Sequence, residues 1–212
     1  MTEEFRTVLV DPPWEMYRGG NVSMSAQKNY PTQTQEEIIA TVMAWLKTYP
    51  IAPEAHLYLW SMNAFPKVKS KGVIDALSLC DIMGFKPMQF LPWIKNEGNP
   101  TPYGIRCTEL CLFAERHRPG YLYDVAYGRE TSVSVCRRGL TTSKDYIISS
   151  RTIHSAKPAG FYDYIEERSQ GPYLELYARN TRDGWTSLGN EAHKGPHSIR
   201  THKQRQKQLQ LF

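Results

Sequence analysis

The feature that most constrains the fold is an apolar run that ends abruptly on two prolines. Residues 7–10 read Thr-Val-Leu-Val, a β-branched pattern typical of a buried strand. Pro12 and Pro13 lack the amide hydrogen that a strand ladder needs, so the chain must leave the sheet there as a rigid loop. Asp11 and Trp14 flank the two prolines. A carboxylate and an indole therefore stand directly after the end of a strand.

The rest of the chain alternates between helical and strand patterns. Thr34 and Glu37 have the spacing of a capping box, and apolar residues recur at helical spacing after them. Further helical patterns cover residues 65–83 and 158–168, and strand patterns cover residues 56–60, 88–94, 109–114 and 173–178. This alternation predicts an α/β sheet with helices on both faces, and such folds bind ligands at the carboxyl ends of their strands. Asp11 occupies such a position.

Composition sets wide limits on the class of protein. The length of 212 residues suits one domain, and the formal net charge of +5 fits a polyanionic partner without requiring one. The cysteines have no zinc-ligand spacing, so we expect unpaired thiols and no metal; they are Cys80, Cys107, Cys111 and Cys136. We see neither a secretory signal pattern nor an apolar run near the roughly 18 residues that span a bilayer, and we expect a cytoplasmic protein.

Residues 11–14 combine groups that methylation of an aromatic amine requires. The lone pair of adenine's amino nitrogen is conjugated with the ring, and acceptors that bind both amino protons draw that nitrogen toward tetrahedral geometry. Asp11 offers a carboxylate, and we expect the carbonyls of Pro12 and Pro13 to have no competing amide donors nearby. Trp14 offers a stacking surface to an extruded base. From these residues alone the alternative is a strand that ends in a turn, with Trp14 in the core.

Further segments resemble one family in the order in which they occur. The sequence has VLVDPPW, then YPTQT from Tyr30, LYLW at 57–60, HSAKP at 154–158 and YLELYARNTRDGWTSLGNE at 173–191. These segments resemble the DPPW-type adenine N(6)-methyltransferases, in their bacterial or phage DNA branch. The resemblance covers residues 7–191. It implies a Rossmann-like, S-adenosylmethionine-dependent methyltransferase fold with a permuted motif order, in which the catalytic motif precedes the cofactor motif.

The resemblance also implies a set of site residues. Asp11, Pro12, Pro13 and Trp14 correspond to the catalytic motif, and Tyr30 is a candidate substrate contact. S-adenosylmethionine is the implied cofactor and S-adenosylhomocysteine the product. Lys157 matches a lysine that reaches the methionine part of the cofactor, Arg179 an arginine near the ribose, and Asn190 and Glu191 a pair on the ribose and adenine side.

Residues 1–191 are expected to form a single methyltransferase domain, and residues 192–212 a basic, flexible C-terminal tail. Four arginines between residues 115 and 150 are candidate phosphate contacts, although a solvated loop explains them equally well; they are Arg116, Arg118, Arg137 and Arg138. Without a separate recognition domain, specificity must come from short loops such as residues 96–106, or from a homodimer or partner subunit.

The final five residues suggest a protein partner. Gln208, Leu209, Leu211 and Phe212 resemble the short QLxLF peptide by which bacterial DNA enzymes dock on the replication sliding clamp. An unstructured polar tail is the alternative. A clamp contact favours DNA over RNA as the substrate.

The sequence therefore predicts a site-specific DNA adenine methyltransferase. An RNA adenosine N(6)-methyltransferase is the first alternative, distinguished by substrate preference. A non-catalytic nucleic-acid-binding subunit of a methyltransferase complex is the second. Asp11, Trp14, Lys157 and Asn190 are all present, and this disfavours the non-catalytic reading.

Overall fold

The computed structural model describes residues 3–15, 32–61, 63, 73–101, 104–117, 146–149, 157–158 and 160–189. The elements in these ranges are β1 (Phe5–Val10), α1 (Gln35–Thr48), β2 (Ile51–Ser61), α2 (Val73–Ile82), β3 (Lys86–Thr101), β4 (Gly104–Arg116), β5 (Ile147–Ser149), α3 (Gly160–Arg168), β6 (Tyr173–Leu176) and β7 (Trp185–Leu188). The strands and helices predicted from the sequence are confirmed where they fall in these ranges. The short strands β5 and β7 were not predicted.

The seven strands form one sheet in the order β5-β3-β4-β2-β1-β6-β7. Strand β4 is antiparallel to both of its neighbours, and the other six strands run in one direction. The ends of β1, β2, β6 and β7 therefore share one edge of the sheet, which we call the carboxyl edge; the opposite one is the amino edge. Because β4 is reversed, its first half lies at the carboxyl edge, where Leu110 pairs with Ser61.

Helices cover both faces of the sheet, as predicted. Alternate strand residues point to opposite faces. Val8 and Val10 belong to the core with α1 and α2, whereas Leu9 belongs to a second core with α3. We call these the α1 face and the α3 face. Phe161 and Ile165 of α3 are fully buried, and burial of such a side chain contributes about 1.5–3 kcal/mol.

The helix ends follow local chemistry that the sequence makes visible. The Thr34 hydroxyl accepts a hydrogen bond from the Glu37 amide (3.3 Å), and the Glu37 carboxylate accepts one from the Thr34 amide (2.8 Å), which completes the predicted capping box. Gly84 ends the α2 region with a φ of 77°, a conformation in which glycine carries no steric penalty. The first part of the predicted helix, residues 65–72, lies outside the described residues.

Residues 96–106 correct the sequence prediction, because they are not a simple loop. Strand β3 continues to Thr101 and β4 begins at Gly104, so the two form a long antiparallel ribbon. A Cβ atom at Gly98 would lie 2.8 Å from the backbone carbonyl oxygen of Arg106, so the close approach of the two strands there favours glycine. Backbone hydrogen bonding between β3 and β4 therefore continues beyond the apolar residues from which the two strands were predicted.

Two further expectations concern cysteines and membrane segments. Cys80, Cys107 and Cys111 are free thiols, as predicted, and Cys136 lies outside the described residues. Within the described ranges, no helix combines the length and apolar character needed to cross a membrane.

Candidate active site

The loop after β1 is held by backbone hydrogen bonds on both sides. The amide of Asp11 donates to the carbonyl of Leu176 on β6 (3.3 Å). The amide of Trp14 donates to the Pro12 carbonyl and the amide of Gln33 to the Pro13 carbonyl, both at 2.9 Å. The expectation that these carbonyls have no amide donors nearby is therefore wrong. A carbonyl oxygen has two lone pairs, so each proline oxygen keeps capacity for one more donor.

Trp14 packs into the interior rather than lining the outside of the loop. Its side chain belongs to the core on the α1 face and it is only 8% exposed. The indole Nε1 donates a hydrogen bond to the Trp60 carbonyl (2.9 Å). So small an exposed area leaves no broad surface on which a base could stack. In this structure the residue fixes the loop to the end of β2, in line with the core role that the residues alone left open.

Two cations from different parts of the chain flank the Asp11 carboxylate. Lys157 Nζ lies 2.9 Å from Asp11 Oδ1, and Arg179 Nη2 lies 3.9 Å from Asp11 Oδ2. Lys157 precedes α3, and Arg179 follows β6. The side chains of Asp11, Lys157 and Arg179 are 16%, 17% and 31% exposed, so the cluster remains in contact with solvent.

Glu109 is a site residue that sequence reasoning missed. Its Oε2 lies 3.2 Å from Lys157 Nζ, and its Oε1 pairs with Lys95. Burial raises the pKa of the carboxyl, but Lys157 and Lys95 outweigh that effect and lower the pKa to about 2. An acidic residue at the start of an apolar strand pattern is a common surface feature. Only the reversed direction of β4 brings Glu109 to the carboxyl edge.

Lys157 is the centre of this charged cluster. Burial lowers its pKa, yet Asp11 and Glu109 together raise that pKa above the ordinary lysine value. Its ammonium also lies over the Trp60 ring, 4.9 Å from the ring centroid. The lysine is therefore held in its charged form, and it joins the loop after β1 to β4.

Tyr177 connects the loop to the segment that carries Arg179. Its φ is 63°, the left-handed region that side chains other than glycine rarely adopt. Its hydroxyl donates to Gln33 Oε1 (2.7 Å), and its ring packs edge-on against Trp45 at 5.0 Å. Gln33 in turn binds the Pro13 carbonyl. The turn after β6 and the loop after β1 are therefore positioned by common contacts.

The structure brings together the predicted residues Asp11, Pro12, Pro13, Lys157 and Arg179, with Trp14 packed beneath them.

Arg116 is not part of this site. It pairs with Ala55 at the amino edge, six residues along β4 from Leu110, a distance of about 20 Å. The predicted contact of Arg116 with substrate therefore does not involve the group beside Asp11. The other predicted site residues lie outside the described residues: Tyr30, Arg118, Arg137, Arg138, Asn190, Glu191, Gln208, Leu209, Leu211 and Phe212.

The fold and the site together define a class. The fold is α/β, with a mixed seven-stranded sheet covered by helices on both faces. The charged cluster lies where parallel strands end, and this is where Rossmann-like proteins bind nucleotide-type ligands. The MT-A70 family profile matches residues 5–191. The chain belongs to the MT-A70 family, a family of N(6)-adenine methyltransferases. The Rossmann-like α/β fold expected from the resemblance is thereby confirmed.

One curated relative is similar over a short segment. The human protein N(6)-adenine-specific methyltransferase METTL4 is 51% identical over 49 residues, which is 22% of this chain and 10% of the relative. The match thus spans a small part of that protein's length.

Proposed function

We propose that this chain transfers a methyl group from S-adenosylmethionine to the exocyclic amino nitrogen of adenine in DNA. The observation that supports this most directly is the position of the Asp11 carboxylate, which lies between Lys157 and Arg179 at the carboxyl edge of a sheet in a chain of the MT-A70 family. Such an arrangement supplies a fixed acceptor for an amine and fixed charges for a cofactor.

The charged side chains fit S-adenosylmethionine. That cofactor carries a carboxylate, an ammonium and a sulfonium, and the cluster offers cations beside carboxylates within a few ångströms. Lys157 would hold the carboxylate of the methionine part. Arg179, with Asn190 and Glu191, would hold the ribose and adenine side. When bound, the cofactor supplies an electrophilic methyl group on sulfur.

The protein's own groups would act on the amine. Asp11 would accept a hydrogen bond from one amino proton, and the unused lone pair of the Pro12 or Pro13 carbonyl would accept one from the other. Both contacts draw the nitrogen lone pair out of the ring. The amine loses one proton after methyl transfer, and Asp11 is placed to accept that proton and pass it to water. Lys157 would orient the Asp11 carboxylate, and Trp14 would hold the loop after β1 in place.

The test compares methyl transfer from labelled S-adenosylmethionine to single-stranded DNA, duplex DNA and RNA of matched sequence, with Asp11→Asn as the matched variant. We expect N(6)-methyladenine in DNA, faster on single strands because extruding a base from a duplex costs a few kcal/mol. Label in RNA alone would show that the substrate is RNA rather than DNA. Cofactor binding without transfer to either would point to a missing partner subunit. No cofactor binding at all would favour the non-catalytic subunit.

We further propose, for a cytoplasmic bacterial or phage setting, that residues 192–212 contact DNA and a sliding clamp. The segment contains several basic residues before Gln208, Leu209, Leu211 and Phe212, and basic segments bind phosphates in a salt-dependent manner. A variant that ends at residue 207 should keep methyl transfer and lose binding to an immobilised bacterial sliding clamp. Undiminished clamp binding would exclude this docking peptide.

A further inference from the structure

A buried carboxyl group lies beside the proposed catalytic centre and has no part in the mechanism above. Glu175 lies on β6, next to β1, and pairs in register with Leu9. Leu9 precedes Asp11 by two residues. Leu174 and Leu176 belong to the α1-face core. Because side chains alternate along a strand, Glu175 points to the α3 face, as do Leu9 and, in the same register, Asp11.

The hydrogen bonding of this carboxyl group is incomplete. Glu175 is 5% exposed, and its Oε1 accepts a hydrogen bond from the Tyr162 hydroxyl at 2.8 Å. Its Oε2 is buried and has no hydrogen-bond partner among the described residues, and the same is true of the hydroxyl of Ser187, its register neighbour on β7. A buried carboxyl with unused acceptor capacity lowers stability, and such groups concentrate at functional sites.

We propose that Glu175 is a specificity-determining residue whose negative charge makes the site prefer the cationic methyl donor, S-adenosylmethionine, to its product. The proposal rests on the proposed function. Donor and product differ by one methyl group and one positive charge on sulfur. A charge acting through the protein interior is weakly screened, so Glu175 need not touch the sulfur to distinguish the two.

The charged and polar neighbours of Glu175 make its ionisation responsive to a bound cation. They are Tyr162 on α3, Asp11 after β1, and Arg179 and Arg182 after β6. Burial raises the pKa of Glu175, the Tyr162 hydrogen bond opposes this, Asp11 adds to it and the two arginines oppose it, so that the pKa is about 7. A bound cation favours the ionised carboxylate. Donor and product share the same ammonium and carboxylate and differ in the charge on sulfur, so binding of the donor near neutral pH releases more protons than binding of the product.

The sign of the pH dependence follows from this linkage. Below the pKa, Glu175 must lose a proton before it attracts the donor, so donor affinity is reduced there. As the pH rises through about 7, the carboxylate is already ionised. The ratio of product Kd to donor Kd should then rise up to about tenfold between roughly pH 6 and pH 8.

The experiment is titration calorimetry of the full chain with S-adenosylmethionine and with S-adenosylhomocysteine, in two buffers of different ionisation enthalpy. For the wild type we expect greater proton release with the donor than with the product, and the pH-dependent Kd ratio. Glu175→Gln keeps an acceptor for Tyr162 and should lose both effects. Glu167→Gln removes a charge from the same region at a side chain that is 68% exposed, and it should behave as wild type.

Tyr162→Phe provides a second variant that leaves Glu175 in place. It removes the hydroxyl that lowers the pKa of Glu175, so the midpoint of the pH dependence should move to higher pH. Wild-type proton release and Kd ratio in Glu175→Gln would overturn the inference while leaving the proposed function intact; if that variant does not fold, an unmoved midpoint in Tyr162→Phe overturns it. Absence of donor binding to the wild type would overturn both.

Discussion

Two polar clusters lie at opposite edges of the same sheet, and they differ in their exposure to solvent. The first is the cluster of Asp11, Glu109, Lys157 and Arg179 at the carboxyl edge. The second, which we call the amino-edge cluster, consists of Ser169, His56, Tyr58, Glu115 and His117.

The amino-edge cluster has the composition of a catalytic triad. Ser169 Oγ lies 2.7 Å from His56 Nδ1, and Glu115 Oε1 lies 3.8 Å from His56 Nε2. Tyr58 also shares the serine hydroxyl, at 2.8 Å. A serine, a histidine and a carboxylate in this order activate nucleophiles in many hydrolases. Here Ser169 is fully buried and His56 is 1% exposed, so no substrate reaches the serine.

The carboxyl-edge cluster has the opposite properties. Its ionised groups are partly exposed, and its cations and carboxylates come from four separate segments of the chain. A dense polar network therefore does not by itself identify a functional site. Access from solvent and fixed charges at the ends of strands are the features that do so.

The largest expected effect tests which cluster is catalytic. Asp11→Asn should lower the initial rate of adenine methylation by about 100-fold or more, because it removes a positioned charged acceptor. Ser169→Ala should leave the rate per folded molecule within about threefold. Initial rates with labelled cofactor, normalised to the folded fraction from circular dichroism, measure both. A large loss of rate in folded Ser169→Ala would reverse the assignment.

A stability measurement should give the reverse order. Ser169→Ala leaves His56 Nδ1 and the Tyr58 hydroxyl without their buried partner, which costs about 1–3 kcal/mol of unfolding free energy. Asp11→Asn should cost less than about 1 kcal/mol, because Lys157 keeps Glu109 as a partner and the site is partly solvated. Urea denaturation of the two variants decides the order. Equal losses would show that the two edges contribute alike to stability.

Acid should weaken the carboxyl edge through Glu109. The folded-state pKa of Glu109 is lowered from 4.5 to about 2, so its stabilising contribution is present above about pH 4.5 and is lost as the pH falls toward 2. Glu109→Gln should therefore show a smaller decrease in melting temperature over that interval than the wild type. Parallel curves for the two proteins would mean that the lysine pairs contribute no net stability.

The smallest effect concerns the link between the two turns of the site. Tyr177→Phe removes the hydrogen bond to Gln33 but keeps the contact with Trp45, so we expect a loss of about 0.5–1.5 kcal/mol. The methylation rate should fall less than tenfold, since Arg179 and Asp11 keep their own contacts. A loss comparable to that of Asp11→Asn would show that the hydroxyl positions the catalytic loop.

The local parts of this structure were predictable. The strand before Asp11, the rigid loop of Pro12 and Pro13, and the cap at Thr34 each depend on neighbouring residues, and each is confirmed. Lys157 and Arg179 are found near Asp11 as the ordered family motifs implied.

Other features depend on contacts between distant segments. Glu109 reaches the site only because β4 is reversed, and Arg116 is carried away from the site for the same reason. The burial of Trp14 depends on the Trp60 carbonyl, which lies 46 residues away. No periodicity or local motif encodes such relations.

Strand β4 also limits where insertions into the chain can be accommodated. Glu109 belongs to one polar cluster and Glu115 to the other, and because their positions differ by six, an even number, both side chains lie on the same face of the sheet. Strand β3 shifts register against β4 in two places, between Pro87 and Gln89 and between Ile94 and Asn99, whereas β4 pairs with β2 without interruption. Codon insertions in β3 should therefore be tolerated best at those two places. A single codon added between Glu109 and Glu115 would rotate one carboxylate into the opposite core and disrupt the partners of both.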